Sequence, residues 1–145
     1  MTECIFCRIL ERREEAEVLY RTQRVVVILD INPIHFGHVL VIPKTHAETF
    51  LGVPEVELPE LIQSVQVVSR AIVDVFKPEG FNIFSNNGMA AGQSVFHFHL
   101  HVTPRYADDN IQFILKLKRY AQDDLKEIAS QLREHIKPNS VLHNL

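Results

Sequence analysis

The chain has 145 residues, 46% of them hydrophobic, with a formal charge of -3, the size of one compact domain able to bury about two-thirds of its unfolded surface. Lys and Arg are scattered, which leaves no basic track for following a nucleic-acid backbone, although a small anion needs only local donors. No apolar run approaches the ~20 residues of a membrane span, and MTECIFCRILERREEAE turns charged too soon for a secretory signal. The expectation is a single cytoplasmic domain over residues 1–145, with neither nucleic acid nor a membrane as partner.

The first feature in chain order is Cys4-x-x-Cys7, the only cysteines. In a reducing compartment such a pair is more often metal-binding or redox-active than a structural disulfide. Residues 24–31 (RVVVILDI) and 38–44 (HVLVIPK) are β-branched runs separated by NPIHFG, which predicts two strands joined by a short loop. From Leu58 to Phe76 apolar residues recur at three and four, the pattern of a long amphipathic helix, and KPEG ends it. Residues 81–85 (FNIFS) and 96–102 (FHFHLHV) read as strands, with the loop NNGMAAGQS (86–94) between them. Residues 120–136 read as a C-terminal helix with Leu125, Ile128, Ala129, Leu132 and Ile136 on one stripe, which suits packing. Residues 107–119 fit strand, helix or a partner-contacting segment.

Chemistry concentrates in QSVFHFHLHVTPR. Alternation puts His97, His99 and His101 on one face of a strand and Phe98, Leu100 and Val102 on the other. Three histidines in register after a Gly-rich loop point to function over an ordinary solvated surface. One metal does not collect all three: alternate residues lie ~6.6 Å apart and the outer pair ~13 Å apart, whereas zinc–nitrogen bonds are ~2.1 Å. The preceding loop instead suits an anion, with two glycines that permit close backbone approach and Asn86, Gln93 and Ser94 as donors. A neutral imidazole beside a bound phosphate is a competent nucleophile near pH 7. Asp30, taken by itself, reads as a strand-ending turn residue.

AGQSVFHFHLHVTPR, with LDINPIHFGHVLVIPKTH upstream and CIFCRI at the start, closely resembles the histidine triad (HIT) family of nucleotide hydrolases and transferases. The resemblance covers about residues 4–106, and CxxC with IPKTH looks like the zinc-bearing bacterial branch; residues 107–145 match loosely. It implies an α+β fold, with an antiparallel sheet of about five strands, a long helix and a C-terminal helix, in a homodimer. It implies that His99 attacks the α-phosphorus of a purine nucleotide conjugate to form a nucleotidyl-histidine that water cleaves. Ser94 and His101 match positions that assist at the scissile bond, and Asn86, Gln93 and His38 match phosphate contacts. Asp30 matches a ribose-binding acid, with Leu29 and Ile31 beside the base. Cys4, Cys7, His46 and His97 match a structural zinc set, which requires the strand to twist or bend at its start so that His97 reaches the metal while His99 faces substrate. A nucleotidyl transferase and a nucleotide-binding module of low turnover share much of this pocket, whereas a cupin-like His-x-His metalloenzyme expects a nearby downstream Glu that HVTPRY lacks.

Overall fold

The computed structural model describes residues 4–137 and divides into two compact units, Met1–Ile111 and Gln112–Leu145. The first unit is a five-stranded antiparallel sheet with a helix against each face. In chain order it comprises α1 (Ile5–Leu10), β1 (Val18–Arg21), β2 (Val25–Leu29), β3 (Val39–Pro43), α2 (Leu58–Phe76), β4 (Gly80–Phe84) and β5 (Leu100–Arg105), with short 3-10 turns between. The spatial order is β1-β2-β3-β5-β4, so β5, which carries His101 and directly follows His99, lies inside the sheet.

The uninterrupted apolar runs of β2 and β3 follow from that position, because strands covered on both faces need no polar alternation. Val25, Val27, Val39 and Val41 face α2 and pack with Leu61, Val65, Val68, Ile72, Phe98 and Val102. Val26, Ile28, Leu40 and Ile42 face the other way, against Phe6 and Ile9 of α1. α2 is the helix expected from Leu58 to Phe76; Pro59 suits its first turn, and it stops at Lys77, whose left-handed φ of 47° breaks the helical path before Pro78.

Two elements were not legible in the sequence. α1 is a single short helix, and β1 carries exposed Val18, Leu19 and Tyr20 with no alternation of burial. One expected element needs correction. The strand expected at 96–102 begins only at Leu100 and runs to Arg105, and residues 95–97 form a bend. The bend has physical causes: Phe98 N–H donates to the carbonyl of Ala47 at 2.6 Å, and the ring of His97 reaches back to Pro43 O at 2.8 Å. The division of faces survives it. Phe98 and Val102 lie in the α2 core with Leu100 packed against them, and His101 stands opposite Leu40 on the α1 face.

The second unit contains α3 (Asp124–His135), shorter than the helix expected at 120–136. Its apolar stripe is exposed at Leu125, Ile128 and Leu132. Residues 110–119, part of the segment open to several readings, have no regular secondary structure, and neither do 120 and 121 at the start of the expected helix.

Candidate active site and metal centre

His97, His99 and His101 lie at the junction of α1, β3 and β5, and their ring-nitrogen partners fix how each points. His99 Nδ1 lies 2.7 Å from the carbonyl oxygen of His97. A carbonyl only accepts, so Nδ1 carries the proton and Nε2 keeps its lone pair. His99 lines a cleft of about 360 Å³ together with His101, Ser94, Asp30, Ile31 and the α1 residues Ile5, Phe6 and Ile9.

His38 fixes the tautomer of His101. The backbone N–H of Ile34 donates to His38 Nδ1 at 3.0 Å, so a neutral His38 bears its proton on Nε2. That nitrogen lies 2.9 Å from His101 Nδ1, which therefore accepts. His101 is left with its proton on Nε2, a donor, and its ring stacks on Phe84 at 4.5 Å and 7°. The site thus presents one imidazole lone pair and one imidazole N–H.

Burial keeps these rings neutral. Desolvation is the largest influence on His38, His97, His99 and His101, and it lowers each from the ordinary histidine value. His101 is lowered to about 4, with His99 and His38 adding to the effect of burial. For His99 the His97 carbonyl and Asp30 oppose the shift without reversing it.

The loop 86–94 is held by its own amides. Gln93 is buried; its Oε1 accepts from Gly88 N–H at 2.7 Å, and its Nε2 donates to Glu48 O and Val95 O at 2.6 and 3.0 Å. Its side-chain amide is therefore occupied in shaping the loop. Asn86 Nδ2 donates to Gly92 O at 3.3 Å. Gly88 and Gly92 both have φ of +87°, which excludes comfortable replacement by L residues. Asp30 Oδ1 accepts the N–H of Asn32 in a turn at 2.8 Å, and the residue also lines the cleft.

Asp30, His38 and His101 also bring ligand-type atoms within 4.8 Å of one another. Both nitrogens of His38 and Nδ1 of His101 are taken by hydrogen bonds, however, so this group is a proton-ordering network instead of a cation site.

Cys4, Cys7, His46 and His97 form the other cluster, from three separate stretches of the chain. Cys4 Sγ and Cys7 Sγ lie 3.5 and 3.6 Å from His97 Nδ1, Cys7 Sγ lies 3.4 Å from His46 Nδ1, and the two histidine Nδ1 atoms are 3.2 Å apart. A tetrahedron with zinc–ligand bonds of 2.0–2.3 Å requires edges of about 3.3–3.8 Å, so the donor set and its spacing fit zinc. His97 donates Nε2–H to Pro43 O, which leaves Nδ1 free to ligate, the usual carbonyl support of a metal-bound imidazole. The bend at 95–97 is the twist that lets His97 face this cluster while His99 faces the cleft. Phe6 and Phe84, which touch these rings, were missed in the sequence. Phe84 sits directly opposite His101 in the β4–β5 register, a relation that only the strand pairing reveals.

A short N-terminal helix, a five-stranded antiparallel sheet and a histidine-lined cleft define a histidine-triad type of α+β protein. The HIT domain family model matches residues 11–108, and the chain belongs to that family. A solved HIT-family structure from Bacillus subtilis superimposes with a TM-score of 0.88 at 36% identity, over 94% of this chain and 99% of that one. A Zn-bound histidine triad family protein from Mycobacterium smegmatis superimposes with a TM-score of 0.72 at 34% identity, over 92% of this chain and 98% of that one. Among curated relatives, Adenylylsulfatase HINT3 of Arabidopsis thaliana is 34% identical over 92% of this chain and 70% of its own length.

Proposed function

We propose that this protein is a nucleotide hydrolase acting at the α-phosphorus of purine nucleotide conjugates, such as nucleoside phosphoramidates, nucleotidyl adducts or dinucleoside polyphosphates. The observation that carries the reading is the His99 tautomer: with Nδ1–H on the His97 carbonyl, the Nε2 lone pair is available in a cleft of nucleotide size. Nε2 forms a bond to phosphorus while the bond to the leaving group breaks, and the leaving group departs with that electron pair. The His97 carbonyl stabilises the positive ring that results. Water then attacks the same phosphorus, releases the nucleoside monophosphate and returns His99 neutral.

His101 Nε2–H and Ser94 donate to the phosphoryl oxygens as charge develops, and preorganised donors are where most of the acceleration of phosphoryl chemistry arises. Asn86 and Gln93 hold the loop that supplies backbone contacts, and His38 sets the tautomer of His101. Asp30 receives the ribose hydroxyls, and Leu29, Ile31, Ile5 and Ile9 enclose the base. The name of the Arabidopsis relative supports nucleotide chemistry of this class.

Zinc at Cys4, Cys7, His46 and His97 serves as a structural support that joins α1 to the residues before β5; the fit of the four donors and the Zn-bound relative favour it. A homodimer is supported by β4 at the sheet edge, where Phe81 and Ile83 are exposed apolar residues. The cytoplasm, which keeps Cys4 and Cys7 reduced, is the setting that suits the metal site.

The test is turnover of an adenosine phosphoramidate and of a dinucleoside polyphosphate by wild type and His99→Ala. Cleavage by wild type with loss of at least a thousandfold in the variant supports the reading. Near wild-type turnover by His99→Ala would remove the nucleophile assignment.

A further inference from the structure

Phe6 lines the His99 cleft, and its ring also lies against the triad itself. It lies in α1 between Cys4 and Cys7, it is 6% exposed, and its ring meets two members of the triad edge-on. The centroid separation is 5.9 Å at 73° to His97 and 5.0 Å at 81° to His99. His99 has one directional restraint among the described residues, the bond from Nδ1 to the His97 carbonyl. A single hydrogen bond fixes the tautomer but leaves the ring free to tilt about that contact. Its remaining ring neighbours are Phe6 and His101, the latter at 4.8 Å and 61°.

α1 has little means of holding this position alone. It has six residues, no side-chain hydrogen bond at its N-cap and no acid in its first turn, and a helix of that length has almost no stability in isolation. It is located by the burial of Phe6 and Ile9 and by the two cysteines that flank Phe6.

We propose that Phe6 is a positioning residue that sets the tilt of the His99 imidazole, and that the metal cluster acts on turnover through it. The proposal rests on His99 as the nucleophile. In-line attack needs Nε2 and phosphorus aligned at close approach, and displacement by about 1 Å costs on the order of a hundredfold in rate. Phe6→Leu keeps an apolar side chain in the cleft wall beside Ile5, Ile9, Leu29 and Ile31, so loss of the ring lowers kcat far more than it weakens nucleotide binding.

The experiment uses the full chain as wild type, Phe6→Leu, Phe6→Tyr and His99→Ala. Zinc content, titration with AMP, and kcat and KM on an adenosine phosphoramidate are measured, with kcat expressed per AMP-binding site so that misfolded protein does not count. The expected result for Phe6→Leu is zinc content as in wild type, AMP affinity within about threefold and kcat lower by about tenfold or more. Phe6→Tyr, which restores the ring, recovers most of kcat. Wild type stripped by a chelator shows a comparable loss, and stripped Phe6→Leu loses little more, because the two changes act through one contact. Unchanged kcat per site in Phe6→Leu, or a change confined to KM and AMP affinity, overturns the proposal, as does independent multiplication of the two losses. Phe6→Met, which keeps the buried volume, is read by the same criteria if the leucine variant yields no AMP-binding sites. Wild-type turnover in His99→Ala marks failure of the nucleophile assignment itself.

Discussion

His38 Nε2 lies 2.9 Å from His101 Nδ1, and the other nitrogen of His38 accepts the backbone N–H of Ile34. This ordered pair decides which nitrogen of His101 bears a proton. His38→Leu removes the partner of Ile34 N–H and of His101 Nδ1 in a partly buried setting, at a cost of up to about 1–3 kcal/mol each. The expected outcome is a lower Tm, with kcat reduced at least tenfold because His101 no longer holds a single tautomer. Thermal melting together with steady-state kinetics checks it; unchanged Tm and kcat would contradict the network.

Gln93 gives a prediction about the loop. Its amide joins Gly88 N–H to the carbonyls of Glu48 and Val95, so Gln93→Leu removes three hydrogen bonds at once. A stability loss of about 2–4 kcal/mol and a weaker affinity for AMP are expected, measurable by denaturant unfolding and calorimetric titration. An AMP affinity equal to that of wild type would show that the loop needs no such anchor.

Acid should destabilise the fold through the histidines. His38, His99 and His101 all titrate below the ordinary histidine value of 6.5 when folded, His101 at about 4. Between those limits the unfolded chain binds more protons, so stability rises with pH across the window. This contribution is fully present above about pH 6.5 and is lost as pH falls toward 4. Melting temperature recorded from pH 7.5 to 4.5 should decline on the acid side; a constant value over that range would count against buried neutral imidazoles.

The metal centre predicts about one zinc per chain by elemental analysis of protein purified under reducing conditions, and loss of that zinc in Cys4→Ser. Removal by a chelator should lower Tm, since the metal binds a site that the unfolded chain does not hold together. Absence of zinc from fully reduced wild type would exclude the centre.

Much of the candidate site was legible because its signals are local. Alternation in FHFHLHV placed three imidazoles opposite Phe98, Leu100 and Val102; the apolar side and His101 keep that assignment, whereas His97 turns at the bend toward Cys4, Cys7 and His46. Residues Leu58–Phe76 announced α2 through helical spacing. What stayed hidden depends on contacts distant in the chain. The bend that shortens β5 comes from Ala47 and Pro43, some fifty residues upstream of Phe98 and His97. β1 has no burial pattern to betray it because it is an edge strand, and α1 is too short for its periodicity to register. The apolar stripe of α3 suggested packing, yet Leu125 and Leu132 are exposed, since a periodic pattern specifies a face without specifying its cover.

The central claim is that His99 Nε2 becomes covalently attached to the α-phosphorus. Wild-type protein mixed with a slowly hydrolysed nucleoside phosphoramidate, quenched under alkaline conditions and analysed by mass spectrometry, should carry one nucleoside monophosphate on the peptide containing His99. The adduct should form and decay at rates consistent with kcat, and His99→Ala should show none. Turnover by wild type with no adduct under single-turnover conditions, or an adduct on a residue other than His99, would contradict the account.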